Sequence, residues 1–140
     1  MQLVETVAEK VGHLLDAEVE GNSDKYIIKK NRTLQICTEN VCFTCTLELD
    51  IFFKRMHGNG IAFNKAEILL LPEELKAFNS ALIEHEITFP TSFRQWQVEN
   101  PHIIAVNIES MEPPENFAAR LASALQVIDN KEFQLDRTWV

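Results

Sequence analysis

Two runs decide the fold: Leu71-Pro72-Glu73-Glu74-Leu75 and Ser110-Met111-Glu112-Pro113-Pro114-Glu115-Asn116-Phe117-Ala118. In each, an extended apolar pattern stops and a helix begins. Pro fits the first helical position, where its missing N–H costs nothing, and Glu73 and Glu74 complement the positive end of the helix dipole. After the first start, Leu75, Phe78, Ala81 and Leu82 recur at helical spacing. After the second, Phe117, Leu121, Leu125 and Ile128 do the same. These stripes predict helices over 72–85 and 114–128. Strands are expected before them, at Ile61–Leu71 and Ile103–Ile108. The alternation of the first changes phase between Ile61/Phe63 and Ala66/Ile68/Leu70, which predicts a bulge or bend near Asn64-Lys65.

Working outward, residues 2–16 carry Leu3, Val7, Val11, Leu14 and Leu15 on one helical face. Gly21-Asn22-Ser23-Asp24 is a turn cluster, followed by a strand at Lys25–Lys30, a tight reversal at Asn31-Arg32 and a second strand at Thr33–Cys37. The strand Cys45–Phe53 alternates Cys45, Leu47, Leu49, Ile51 and Phe53 with polar residues, as a sheet with one wet face requires. A connector follows over 54–60. Pro90 cuts a short extended piece at Glu86–Phe89, and Thr91–Pro101 reads as a polar loop. The expected fold is α+β: an antiparallel sheet of five or six strands with three helices mainly on one face, in one domain over 1–128, then a polar tail over 129–140.

At 140 residues and 46% apolar, the chain suffices for one ordinary core. A net charge of −8 argues against nucleic acid as a partner, because phosphate backbones select clustered Lys and Arg. The run Lys29-Lys30-Asn31-Arg32 reads as a solvated turn. No apolar run is long enough for a bilayer, and the acids Glu5 and Glu9 stand where a signal peptide is basic, so the expectation is a cytoplasmic protein without a membrane partner.

Cys37, Cys42 and Cys45 have the spacing of the first three ligands of a plant-type iron–sulfur site, but the chain lacks a fourth Cys. They read as three structural thiols, with no metal and no cofactor. His85, between Glu84 and Glu86, falls at a helix C-terminus, where His is favoured for its own sake. No Gly-rich phosphate cradle or nucleophile elbow is present.

The segment Thr91–His102 gathers Arg94, Gln95, Trp96, Asn100 and His102. Arg and Trp are the usual anchors of a recognition surface, and Arg grips carboxylates bidentately. Two readings follow. The favoured one is a non-catalytic module binding a small ligand or a protein through these residues, or pairing as a homodimer. The other is a hydrolase-like enzyme with His102 as base and Arg94 holding an anionic substrate. The first is preferred because no nucleophile, base and stabiliser converge in the sequence.

Ala66-Glu67-Ile68-Leu69-Leu70-Leu71-Pro72-Glu73-Glu74-Leu75, Asn100-Pro101-His102 and Glu112-Pro113-Pro114-Glu115-Asn116-Phe117-Ala118 together resemble the LppY/LpqO family, a bacterial domain of unknown function named after mycobacterial lipoproteins. The likeness spans roughly 4–128. Many relatives carry Leu-His-Asn-His in the loop after the middle helix, a pair of imidazoles suited to a metal. This chain has Thr91-Ser92-Phe93-Arg94-Gln95-Trp96 there, and Ile104-Ala105-Val106-Asn107-Ile108 where relatives tend to carry a strand His. The resemblance therefore implies a member without those ligands and without the lipid anchor.

Overall fold

The computed structural model describes residues 6–21, 24–37, 39–55, 59–100 and 103–129. Six strands form one antiparallel sheet: β1 (Glu18–Gly21), β2 (Lys25–Cys37), β3 (Cys42–Arg55), β4 (Ala62–Leu70), β5 (Arg94–Glu99) and β6 (Ile104–Glu112). Their order is β1-β2-β3-β4-β6-β5. Three helices, α1 (Val7–Leu15), α2 (Leu75–Glu84) and α3 (Pro114–Ile128), cover one face, and a single 3-10 turn at Pro72–Glu74 leads into α2. The α+β class expected from the sequence is the class found. None of the described helices is long and apolar enough to cross a membrane.

Strand periodicity sorts the residues between two faces. Along β4, Ala62, Ala66, Ile68 and Leu70 turn to the helices and are buried. So do Leu49, Ile51 and Phe53 of β3 and Ile104, Val106 and Ile108 of β6. From the other side come Phe78 and Leu82 of α2, and Phe117, Leu121, Leu125 and Ile128 of α3, the predicted stripe. The first helix starts at Val7, because Thr6 caps it: Glu9 N–H donates to Thr6 Oγ1 at 3.1 Å and Thr6 N–H to Glu9 Oε1 at 3.2 Å. Hydrogen bonds from the Thr6 side chain, then from its backbone, hold the Glu9 carboxyl below its ordinary pKa.

Several expectations fail for physical reasons. Asn31-Arg32 is not a reversal; β2 runs unbroken for 13 residues. Arg32 sits on the helix face, where its guanidinium donates to Glu74 at 2.8 and 3.1 Å, to the Leu69 carbonyl at 2.8 Å and to Asp129 Oδ1 at 3.1 Å. A guanidinium so fully paired can occupy a core position that its polarity alone forbids. Lys30 likewise reaches back to the Leu15 carbonyl at 2.7 Å, so the basic run is strand and not solvated turn. Glu74, expected to serve the helix dipole, is buried and also accepts the Leu71 N–H at 2.8 Å.

No bulge interrupts β4, whose pairing with β3 and β6 is continuous. The apparent change of phase comes from Asn64, which takes an inward position and donates to the Ser110 and Glu112 carbonyls at 3.3 and 3.0 Å. The strand β1 was not expected, and the segment read as a loop over 91–101 contains β5. Cys37 and Cys42 are not separate thiols. The β2–β3 register sets them opposite each other on one face, 4.0 Å apart at Cα, and a disulfide joins them. Cys45 points to the other face and stays free.

Candidate functional site

The face of the sheet opposite the helices is open, and the register arranges it in rows. Glu18, Lys29, Asp50, Glu67, Asn107 and Trp96 lie side by side across all six strands. The neighbouring row reads Glu20, Ile27, Phe52, Lys65, Glu109 and Arg94. Neighbouring side chains in a row stand about 5 Å apart, close enough to act on one molecule.

Between β2 and β6 these rows form a trough of about 640 Å³. That volume is within the usual range for small-molecule sites, about 300–1,000 Å³. Phe52 and Ile27 give its apolar floor. The Phe52 ring stands 6.1 Å from that of Phe63, and Lys25 Nζ lies 4.3 Å from its centroid. Charges of both signs line the trough: Glu48, Asp50 and Glu67 against Lys25, Lys29 and Lys65. Lys29 is 3.7 Å from Glu20 Oε2, which draws it toward the β1 side. Asp50 and Glu67 face each other directly across β3 and β4, an arrangement that costs stability in an empty sheet.

Asn107 stands next to Glu67 in the same row, is only 7% exposed and borders the trough. Among the described residues, the buried side-chain polar atom left without a hydrogen-bond partner is Asn64 Oδ1, which lies on the helix face. Beyond Asn107, Trp96 closes the row, 39% exposed, with Lys65 Nζ 5.8 Å and the Arg94 guanidinium 5.9 Å from its ring centroid.

The residues singled out in the sequence divide among different places. Arg94 and Trp96 reach the open face at the margin of the trough, and Arg94 Nη1 lies 3.5 Å from Glu109 Oε1 of its own chain. Gln95 has the opposite parity and donates to Asn79 of α2 at 2.8 Å, on the helix side. Asn100 follows the end of β5, where its backbone N–H donates to the Ile103 carbonyl at 2.9 Å. His102 lies outside the described residues. Asp50, Glu67 and Asn107 went unread as a set. The polar half of the clearest alternating strand already held Glu48 and Asp50, and a lone Asn inside Ile104–Ile108 was the available signal for the third.

A second polar cluster holds β5 in place without opening to solvent. Arg120 of α3 is buried and bonds Glu112, which also accepts from the Ser110 hydroxyl. Its other branch donates to the Thr88 carbonyl at 3.3 Å, and the guanidinium lies 5.2 Å from the Phe89 ring centroid. Phe89 stacks on Phe93 at 4.0 Å, so the connection from α2 arrives at β5 already packed. Among the described residues, no three of His, Cys, Asp and Glu converge as metal ligands.

A family profile described as Domain of Unknown Function (DUF1259) matches residues 9–127, from α1 to α3. No curated protein matches the chain, and no solved structure does.

Proposed function

We propose that this chain, which belongs to the family Domain of Unknown Function (DUF1259), is a non-catalytic binding module that holds a small neutral polyhydroxylated molecule, sugar-like in chemistry, on the open face of its sheet. The observation that carries the reading is the trough of about 640 Å³ itself, in which Asp50, Glu67, Asn107 and Lys65 present carboxylate, carboxamide and ammonium groups beside the Phe52 ring. The mixed lining supports the ligand class. A cation meets Lys25, Lys29 and Lys65, and an anion meets Glu48, Asp50 and Glu67, so a charged ligand of either sign faces repulsion. A polyol donates to the facing carboxylates of Asp50 and Glu67 and accepts from Asn107 and Lys65, and its apolar ring face suits Phe52.

The hydrolase alternative rests on Arg94 and His102, and its first member is engaged with Glu109. The LppY/LpqO likeness stays a proposal that rests on the runs at 66–75, 100–102 and 112–118. For location, the Cys37–Cys42 bridge supports an oxidising compartment over the cytoplasm, where thiols are kept reduced.

Calorimetric titration with a panel of mono- and disaccharides, amino acids, carboxylates and amines tests the assignment. Saturable binding of a saccharide, abolished by Asn107→Ala with the far-ultraviolet circular dichroism unchanged, is the expected result. Binding confined to charged members of the panel, or saccharide binding indifferent to Asn107→Ala, overturns it.

A further inference from the structure

We propose that β5 is a self-pairing edge, through which two copies of this chain join their sheets into one. The two edges of the sheet differ in how they are protected. On one side β1 is four residues long and carries Glu18 and Glu20, and short length and charge are the usual means of blunting an edge. On the other, β5 is six residues long and exposed throughout, with no Pro, no Lys and no bulge. It also presents two of the large exposed apolar side chains, Trp96 at 39% and Val98 at 51%.

The backbone phase of β5 fixes which groups are available. Asn100 N–H donates to the Ile103 carbonyl, and that pair continues the register that sets Glu99 opposite Ile104. Alternate residues of an antiparallel strand bond to the same neighbour. Arg94, Trp96 and Val98 therefore turn their backbone groups to β6, and Gln95, Gln97 and Glu99 turn theirs to the free edge. A second copy, added antiparallel through a two-fold axis normal to the sheet, keeps the open face on one side. Residues of like parity then meet.

Centred on Gln97, this pairing uses the full strand. Gln97 meets its own copy, Gln95 meets Glu99, and every outward N–H and C=O finds a partner. On the open face Trp96 lies beside Val98 of the second copy on both sides of the axis, so both exposed apolar groups are covered. Arg94 falls opposite Asn100, and like charges nowhere oppose each other, which matters in a chain of net charge −8. The strand itself, with Arg94 and Glu99, is neutral.

Sedimentation equilibrium of the full chain tests the inference. The expected mass is twice that of one chain, and Gln97→Pro returns it to one. Proline at 97 removes an outward N–H and leaves the bonds to β6 in place, so the fold survives. Val98→Glu, which sets a carboxylate against the electron-rich ring of Trp96 of the second copy, gives the same loss by an independent route and decides the matter should Gln97→Pro unfold. The register is read from Gln97→Cys, which oxidises to a covalent dimer because the two Cα atoms stand about 5.5 Å apart across the axis, within disulfide reach. A monomer at every concentration, a dimer that persists in both Gln97→Pro and Val98→Glu, or a partner protein's extended segment occupying β5 of a monomeric chain overturns the proposal.

Discussion

The two faces of one sheet treat charge in opposite ways. Toward the helices, Arg32 and Arg120 are almost wholly buried, and each is matched by a carboxylate and a carbonyl: Glu74 with Leu69, and Glu112 with Thr88. Toward the open side, Asp50 and Glu67 confront each other directly across β3 and β4. Burial explains the difference. A charge removed from water must be paired within the chain, whereas groups lining a trough can wait for a ligand to complete them. The covered face therefore holds the fold, and the open face is where polar groups remain for binding.

The contrast predicts a graded set of effects. Arg32→Ala breaks a fully buried pair and strands Glu74, so a loss of about 3–5 kcal/mol is expected in urea unfolding. A loss below a third of that would show that water reaches the site and that the two faces differ less than their burial implies. Leu121→Ala, which removes packing and leaves the ion pairs intact, should cost about 2–5 kcal/mol. An unchanged denaturation midpoint would place the core elsewhere. Asp50→Asn is the smallest: relieving its opposition to Glu67 should raise stability by about 0.2–1 kcal/mol and abolish saccharide binding. If it destabilises, the carboxylate serves the fold, and the distinction between the faces fails there.

What could be read from the residues was what local patterning controls. The helix over 114–128 was legible to the residue, because Pro114 and the stripe from Phe117 to Ile128 obey one period. The strand β3 was equally plain from its alternation, and the helix after Pro72 needed only its 3-10 start added. Some departures from the sequence pattern fall where a polar residue occupies an inward position, at Arg32, Asn64 and Arg120. A pattern of apolar residues cannot register a buried polar side chain held by distant partners, as Arg32 is by Glu74, Asn64 by the Ser110 and Glu112 carbonyls, and Arg120 by Glu112. Gln95 and Arg94 shared a motif in sequence but not a face, because adjacent residues of a strand point opposite ways.

The sequence by itself therefore determined the class of fold, the three helices and the inward stripes, since these depend on neighbours within a few residues. Tertiary structure alone decided the rest. It paired Arg32 with Glu74 across 42 positions, set Cys37 against Cys42 through the hairpin register, and aligned Asp50, Glu67, Asn107 and Trp96 from four strands into one row. Registers are fixed by the packing of the whole sheet, and a row across strands joins residues whose separation in the chain carries no trace of their meeting.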